Sequence, residues 1–278
     1  MATVTAINIY PVKSCRGIAL DRATVEITGF THDRQWLIVR PDGRFVTQRD
    51  EPRLALISTA IADGRLQLHA PEVGTFTIAA DHRGASVEVI CWKHQCAAFD
   101  AGDEAARWLE GHLGQPFRLV RFDPARKRVA DPKWTGDVEA LNQFSDGFPY
   151  LIVSQASLDD LNRRLPRPLP MNRFRPNIVL DGMPPYGEDE AHEFSGDGIR
   201  LRAVKDCTRC VITTTDQDKG QRDGEEPLRT LRSYRMSREL KGVLFGQNII
   251  LTEGAGRQLR VGQELAVQWK SDTRNSDA

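Results

Sequence analysis

The order in which two periodicities arrive constrains this chain most. From Val4 to Trp92 the apolar residues fall in short runs rich in β-branched and aromatic side chains: Val4–Val12, Ala23–Thr28, Gln35–Arg40, Arg44–Gln48, Arg65–Ala70, Thr75–Ala79 and Ser86–Trp92. Such runs suit a pleated, half-buried surface. Pro41-Asp42-Gly43 and Asp63-Gly64 stand between runs and carry the residue types that tight hairpin turns require. A helical period first appears at Asp103–Leu113, where Ala105, Ala106, Leu109 and Leu113 share one face and Gly114 is placed to end the helix. Phe117–Phe122 then reads as another strand.

Residues 123–148 are polar and irregular, a long loop of the kind that often carries function. The strand pattern restarts at Tyr150–Val153. Ser157 with Asp160 three positions on predicts a capping box for a helix through Leu165. A proline-rich joint at 167–177 leads into Ile178–Leu180. Ile199–Val204, Val211–Thr215, Asn248–Leu251 and Leu265–Trp269 read as further strands, and Leu228–Arg235 as a short helix. Many short strands with few helices predict a mainly β chain with α decoration, an α+β fold built on β-barrels, not a doubly wound sheet. The last residues, 271–278, have no core and are expected to be disordered.

The 278 residues are enough for two domains. Lys+Arg and Asp+Glu are both 38, a balance that argues against a general nucleic-acid or membrane-surface binder. The start lacks the apolar region of a secretory signal, and no apolar run is long enough to span a bilayer. Five cysteines, an odd number, fit free thiols better than a disulfide framework. The expectation from these features is a cytoplasmic protein.

Two of the five, Cys207 and Cys210, form a CxxC. Zinc would need two more ligands, and Cys91, Cys96 and His94 are distant in sequence. Thioredoxin-type chemistry wants the pair at a helix N-terminus, whereas Val211–Thr215 reads as a strand. Two structural cysteines, or one thiolate ligand to a soft metal beside a bystander, are further readings that stand beside these weaker two. Groups suited to anions lie elsewhere in the chain: Lys13-Ser14 after Tyr10-Pro-Val, Asp33-Arg34 before Trp36, and Asn172-Arg173-Phe-Arg175-Pro-Asn177. Each flanks an expected strand, where site residues of barrels tend to sit.

The segments YPVKSCRG, DRQWLIV, TQRDEPRLALI, SQASLDDLNRRL, RFRPNIV, CTRCVITTTDQDKG, EPLRTLRSYR and LFGQN run in order from about Ile7 to about Leu265. Together they resemble the MOSC-domain molybdenum proteins of the amidoxime-reducing type, mitochondrial and bacterial. The resemblance implies a MOSC N-terminal β-barrel-like domain over 1–122 and a MOSC β-barrel domain over 123–270, with the molybdenum cofactor, a molybdopterin bearing a phosphate, between them. It implies that Cys210 is the protein's thiolate ligand to molybdenum and Cys207 a neighbour. Lys13, Ser14, Arg34, Arg175 and Asn177 would hold the pterin and its phosphate. Thr208, Arg209 and Asn248 would add contacts. Asp146 would lie near the metal, delivering a proton or orienting substrate.

The implied activity is reduction of amidoximes, hydroxamic acids and N-hydroxylated bases to the N–H compound and water. No cysteine follows Cys210 to build a ferredoxin-type cluster, and there is no GxGxxG fingerprint. Electrons are therefore expected from a separate donor protein of ferredoxin, flavodoxin or cytochrome b5 type with its reductase. The rival reading is a MOSC-type sulfur carrier holding a persulfide on Cys210, without reductase activity.

Overall fold

In the computed structural model, which describes residues 1–271, seven strands close into a barrel. Their order is Tyr150–Ser154, Ile178–Asp181, Ala2–Ile9, Glu264–Trp269, Ala191–Gly196, Ile199–Arg209 and Gly242–Glu253, and the last pairs back onto the first. Closure leaves no long unpaired edge. Tyr150–Ser154 and Ile178–Asp181 run parallel, and the helix Gln155–Arg164 makes the crossover such a pair needs.

The first strand belongs to this barrel and not to the sheets that follow it in sequence. It pairs with Ile178–Asp181 on one side and Glu264–Trp269 on the other. A register shift between Val4 and Ala6 moves its inward positions from even to odd numbers, so Ala2, Val4, Ile7 and Ile9 all reach the core.

Ile18–Leu20 and Arg22–Glu26 stay with the barrel, pairing with Ala2–Ile9 and Gln258–Arg260, and residues 36–122 build a second unit. The strands Trp36–Val39, Arg118–Phe122, His94–Asp100 and Ser86–Cys91 form one sheet, and Ser58–Ala62, Arg65–Ala70 and Gly74–Ala79 form a meander. The helix Asp103–Leu113 seals their shared core with Ala105, Leu109 and Leu113 and stops at Gly114, which takes the left-handed conformation. The chain is mainly β with few helices, as the alternating runs predict. No helix among the described residues is long and apolar enough to cross a membrane. Beyond Ser271, the residues expected to form a disordered tail lie outside those described.

Three local expectations are corrected. Val211–Thr214 is a 3-10 turn, not a strand, with Cys210 at its N-cap. The hydroxyls of Thr213 and Thr214 donate back to the carbonyls of Cys210 and Val211, at 2.9 and 2.8 Å, which reconciles β-branched residues with a helical turn. The helix after Tyr150–Ser154 is capped by Ser154, whose Oγ accepts from the Ser157 backbone N–H, while Ser157 itself donates to buried Glu188.

Arg44–Gln48 makes only isolated bridges, because its end is diverted to the other unit. Gln48 and Gln217 exchange two amide hydrogen bonds of 3.0 and 2.9 Å, and both are almost completely buried. Arg222 adds bonds to the carbonyls of Gln48, Arg49 and Val211. These bonds tie the two units together directly behind Cys210.

Gln217→Leu should strip a buried amide of its partner and destabilise by about 1–3 kcal/mol. Each kcal/mol should lower the thermal midpoint by roughly 2–4 °C. A midpoint equal to that of the unmodified protein would show that the pair contributes nothing.

Candidate functional site

The two units meet at a cleft of about 430 Å³, within the size range of small-molecule sites. Cys210, Asp146, Lys13, Ser14, Arg34, Arg175, Asn177, Thr208, Arg209 and Asn248 all line it, although they come from segments spread over more than two hundred residues. Lys205, Lys241 and Arg49 line it too, so seven cations face two carboxylates, those of Asp146 and Asp206. The cleft is built for an anion.

Several lining residues hold an uncommon backbone conformation. Ser14, Arg34, Trp92, Arg175 and Lys241 have φ values between 48° and 71°. Non-glycine residues rarely adopt this region, and such strain concentrates at functional sites. The chain is tightly packed three residues after Ser14. Gly17 lies against Tyr10, where an added Cβ would come within 2.5 Å of the ring.

Tyr10 organises one wall. The guanidinium groups of Arg34 and Arg175 each stack on its ring at 4.3 Å. Arg34 is held by Asp33 at 2.6 Å and by Asn177 at 2.9 Å. Asn177 also accepts from the Leu151 N–H and donates to the Asn8 carbonyl. Its amide therefore serves mainly to fix Arg34. Arg175 is different. Among the described residues no hydrogen-bond acceptor meets its guanidinium, and burial pushes its pKa down to about 10. It remains charged at neutral pH, with its donors free.

Lys13 also lines the cleft. Its ammonium donates to the Phe144 carbonyl at 2.8 Å and to Asp146 at 2.5 Å, leaving one of its three donors. The Asp146 side chain is 65% exposed to the cleft, yet enough protein surrounds it for desolvation to oppose its charge. The Lys13 ammonium, then the Arg49 guanidinium and the Trp92 indole N–H, outweigh that and hold the carboxyl well below the usual carboxylate range.

Cys210 faces this group, and Arg49 Nη2 donates to its sulfur at 3.0 Å. Cys207 accepts from Arg209 Nη1 at 3.0 Å, while Arg209 Nη2 donates to the Phe174 carbonyl. Both thiols are free, as are buried Cys15, Cys91 and Cys96. Among the described residues no cluster of three or more His, Cys, Asp or Glu is arranged to hold a metal ion. A metal at Cys210 would thus need ligands from an organic partner. The free Arg175 fork, the left-handed Ser14 turn and the excess of cations fit a phosphate-bearing one.

Arg49 and Trp92 were not among the residues singled out from the sequence. Arg49 lies in TQRDEPRLALI, where a polar cluster follows an apolar run, and that was the available signal. Trp92, at the tip of the hairpin between Ser86–Cys91 and His94–Asp100, gave none.

The sequence matches the MOSC N-terminal beta barrel domain over residues 1–116 and the MOSC domain over residues 140–266. It is 36% identical to the mitochondrial amidoxime-reducing component 1 of Mus musculus, over 89% of this chain and 75% of that one. It is 37% identical to its Homo sapiens counterpart, over 90% and 79%. It is 36% identical to the mitochondrial amidoxime reducing component 2 of Bos taurus, over 85% and 73%. The expectation of a cytoplasmic protein is corrected by these relatives, which are named mitochondrial.

Proposed function

This chain belongs to the MOSC-domain family of the amidoxime-reducing components, and from that premise we propose that it is a molybdenum-cofactor oxidoreductase that reduces N-hydroxylated compounds. One observation carries the reading beyond kinship. A soft sulfur, Cys210, and a half-buried guanidinium, Arg175, with no hydrogen-bond acceptor among the described residues, face one basic cleft. Soft sulfur suits molybdenum, and a free guanidinium fork suits a phosphate.

The residues divide the task. Cys210 would hold the metal. Arg175, the remaining donors of Arg34 and Lys13, and Ser14 would hold the pterin and its phosphate, with Thr208, Arg209 and Asn248 along the same wall. The cofactor, when bound, supplies two-electron chemistry that removes oxygen from an N–O bond. Asp146, kept ionised by Lys13, accepts hydrogen bonds and is poorly placed to give up a proton. We assign it to orienting the N–OH group of an amidoxime, hydroxamic acid or N-hydroxylated base. Electrons come from a separate donor protein.

Metal and pterin analysis of protein from a molybdenum-replete host tests this. Stoichiometric molybdenum and pterin are expected, together with N-reduction driven by a chemical reductant. Protein without either, carrying labile sulfur on Cys210, would overturn the reading in favour of a sulfur carrier.

A further inference from the structure

We propose that Arg49 is a positioning residue that tunes the Cys210 sulfur, and that Trp92 holds it in place. The inference rests on the reading of Cys210 as the metal's protein ligand.

Arg49 has three anchors. Its Nη2 donates to Cys210 Sγ at 3.0 Å. Its guanidinium stacks on the Trp92 ring at 4.6 Å. Its carbonyl, with that of Gln48, accepts from Arg222, which also binds the Val211 carbonyl beside Cys210. Trp92 is fixed in turn by donating its indole N–H to Asp146 at 3.2 Å and by packing on Phe45 at 5.1 Å. A contiguous chain therefore runs from Lys13 through Asp146, Trp92 and Arg49 to the sulfur. Arg49 and Trp92 come from the N-terminal unit, and Cys210 from the barrel. Each unit thus supplies one part of the sulfur's environment, which gives the amide clamp behind it a purpose.

A donor and a positive charge beside a ligating sulfur withdraw electron density from it. That stabilises the reduced metal and raises the reduction potential. Removing them does the reverse.

The test uses the cofactor-loaded protein and compares Arg49→Ala with the unmodified chain. Molybdenum content should be retained, since Arg49 is not a ligand. The midpoint potential should fall by about 59 mV, a tenfold change in a one-electron equilibrium. Turnover should fall about 10–100-fold, with little change in KM. An unshifted potential in metal-replete Arg49→Ala overturns the proposal and leaves the cofactor reading intact. Absence of molybdenum from the unmodified protein sinks the cofactor reading, and this inference with it. Should the alanine variant arrive without metal, Arg49→Gln carries the test, because it loses the charge but keeps a donor. A downward shift is expected there, and an unchanged potential overturns the assignment.

Discussion

Cys210→Ser is expected to yield a folded protein that has lost nearly all N-reduction, whereas Cys207→Ser keeps most of it. The fold survives the first change because what Cys210 gives the backbone comes from its carbonyl, which accepts from the Thr213 N–H and hydroxyl. Neither bond involves the side chain. A serine hydroxyl can still accept from Arg49, so the wall of the cleft keeps its shape. What is lost is the soft ligand, and a hard hydroxyl is a poor substitute toward molybdenum.

Loss of a direct ligand should exceed the effect of outer contacts, so activity should drop by at least about 100-fold. The Cys207 sulfur accepts from Arg209 at 3.0 Å and donates to the Thr208 carbonyl at 3.9 Å, roles that a serine hydroxyl can also fill. Turnover and molybdenum content of the two variants check this. Equal loss in both, with no molybdenum in the unmodified chain, would restore a dithiol or zinc role for the pair.

The barrel architecture and the candidate cleft were legible for different reasons. Strands announce themselves through local alternation. Three basic segments of the cleft flank strands, and that placement is local too, whereas Cys210, Asp146, Thr208, Arg209 and Asn248 were reached through the family resemblance. Ser14, Arg34 and Arg175 belong to those three segments, and the fold turns them toward one another.

Three kinds of information were not local. Ala2–Ile9 joins a sheet made by residues more than a hundred and forty positions later, a pairing no window reveals. Val-Ile-Thr-Thr has strand composition but turns, because two threonine hydroxyls find carbonyls three residues back. Arg49 and Trp92 matter only because the two units dock. In sequence one is an arginine after a glutamine and the other a tryptophan in a hairpin.

The second large effect concerns Arg175. Arg175→Ala should lower molybdenum and pterin occupancy sharply while leaving the thermal midpoint of the cofactor-free protein nearly unchanged. In the free protein its guanidinium has no hydrogen-bond acceptor among the described residues, and burial already disfavours its charge. Removing it costs the stacking on Tyr10 and relieves a desolvated cation, and these effects oppose each other. The backbone at Arg175 keeps its φ of 55°, and alanine tolerates that no worse than arginine.

With cofactor present the comparison changes, because a charge-assisted bond to a phosphate contributes about 1.5–3 kcal/mol. Its loss corresponds to roughly 10–100-fold weaker binding. Arg175→Lys should fall between, since it restores a charge without the planar fork. Unchanged occupancy in Arg175→Ala would mean that the guanidinium does not meet the cofactor. A large fall in the midpoint of the cofactor-free protein would make Arg175 a structural residue instead.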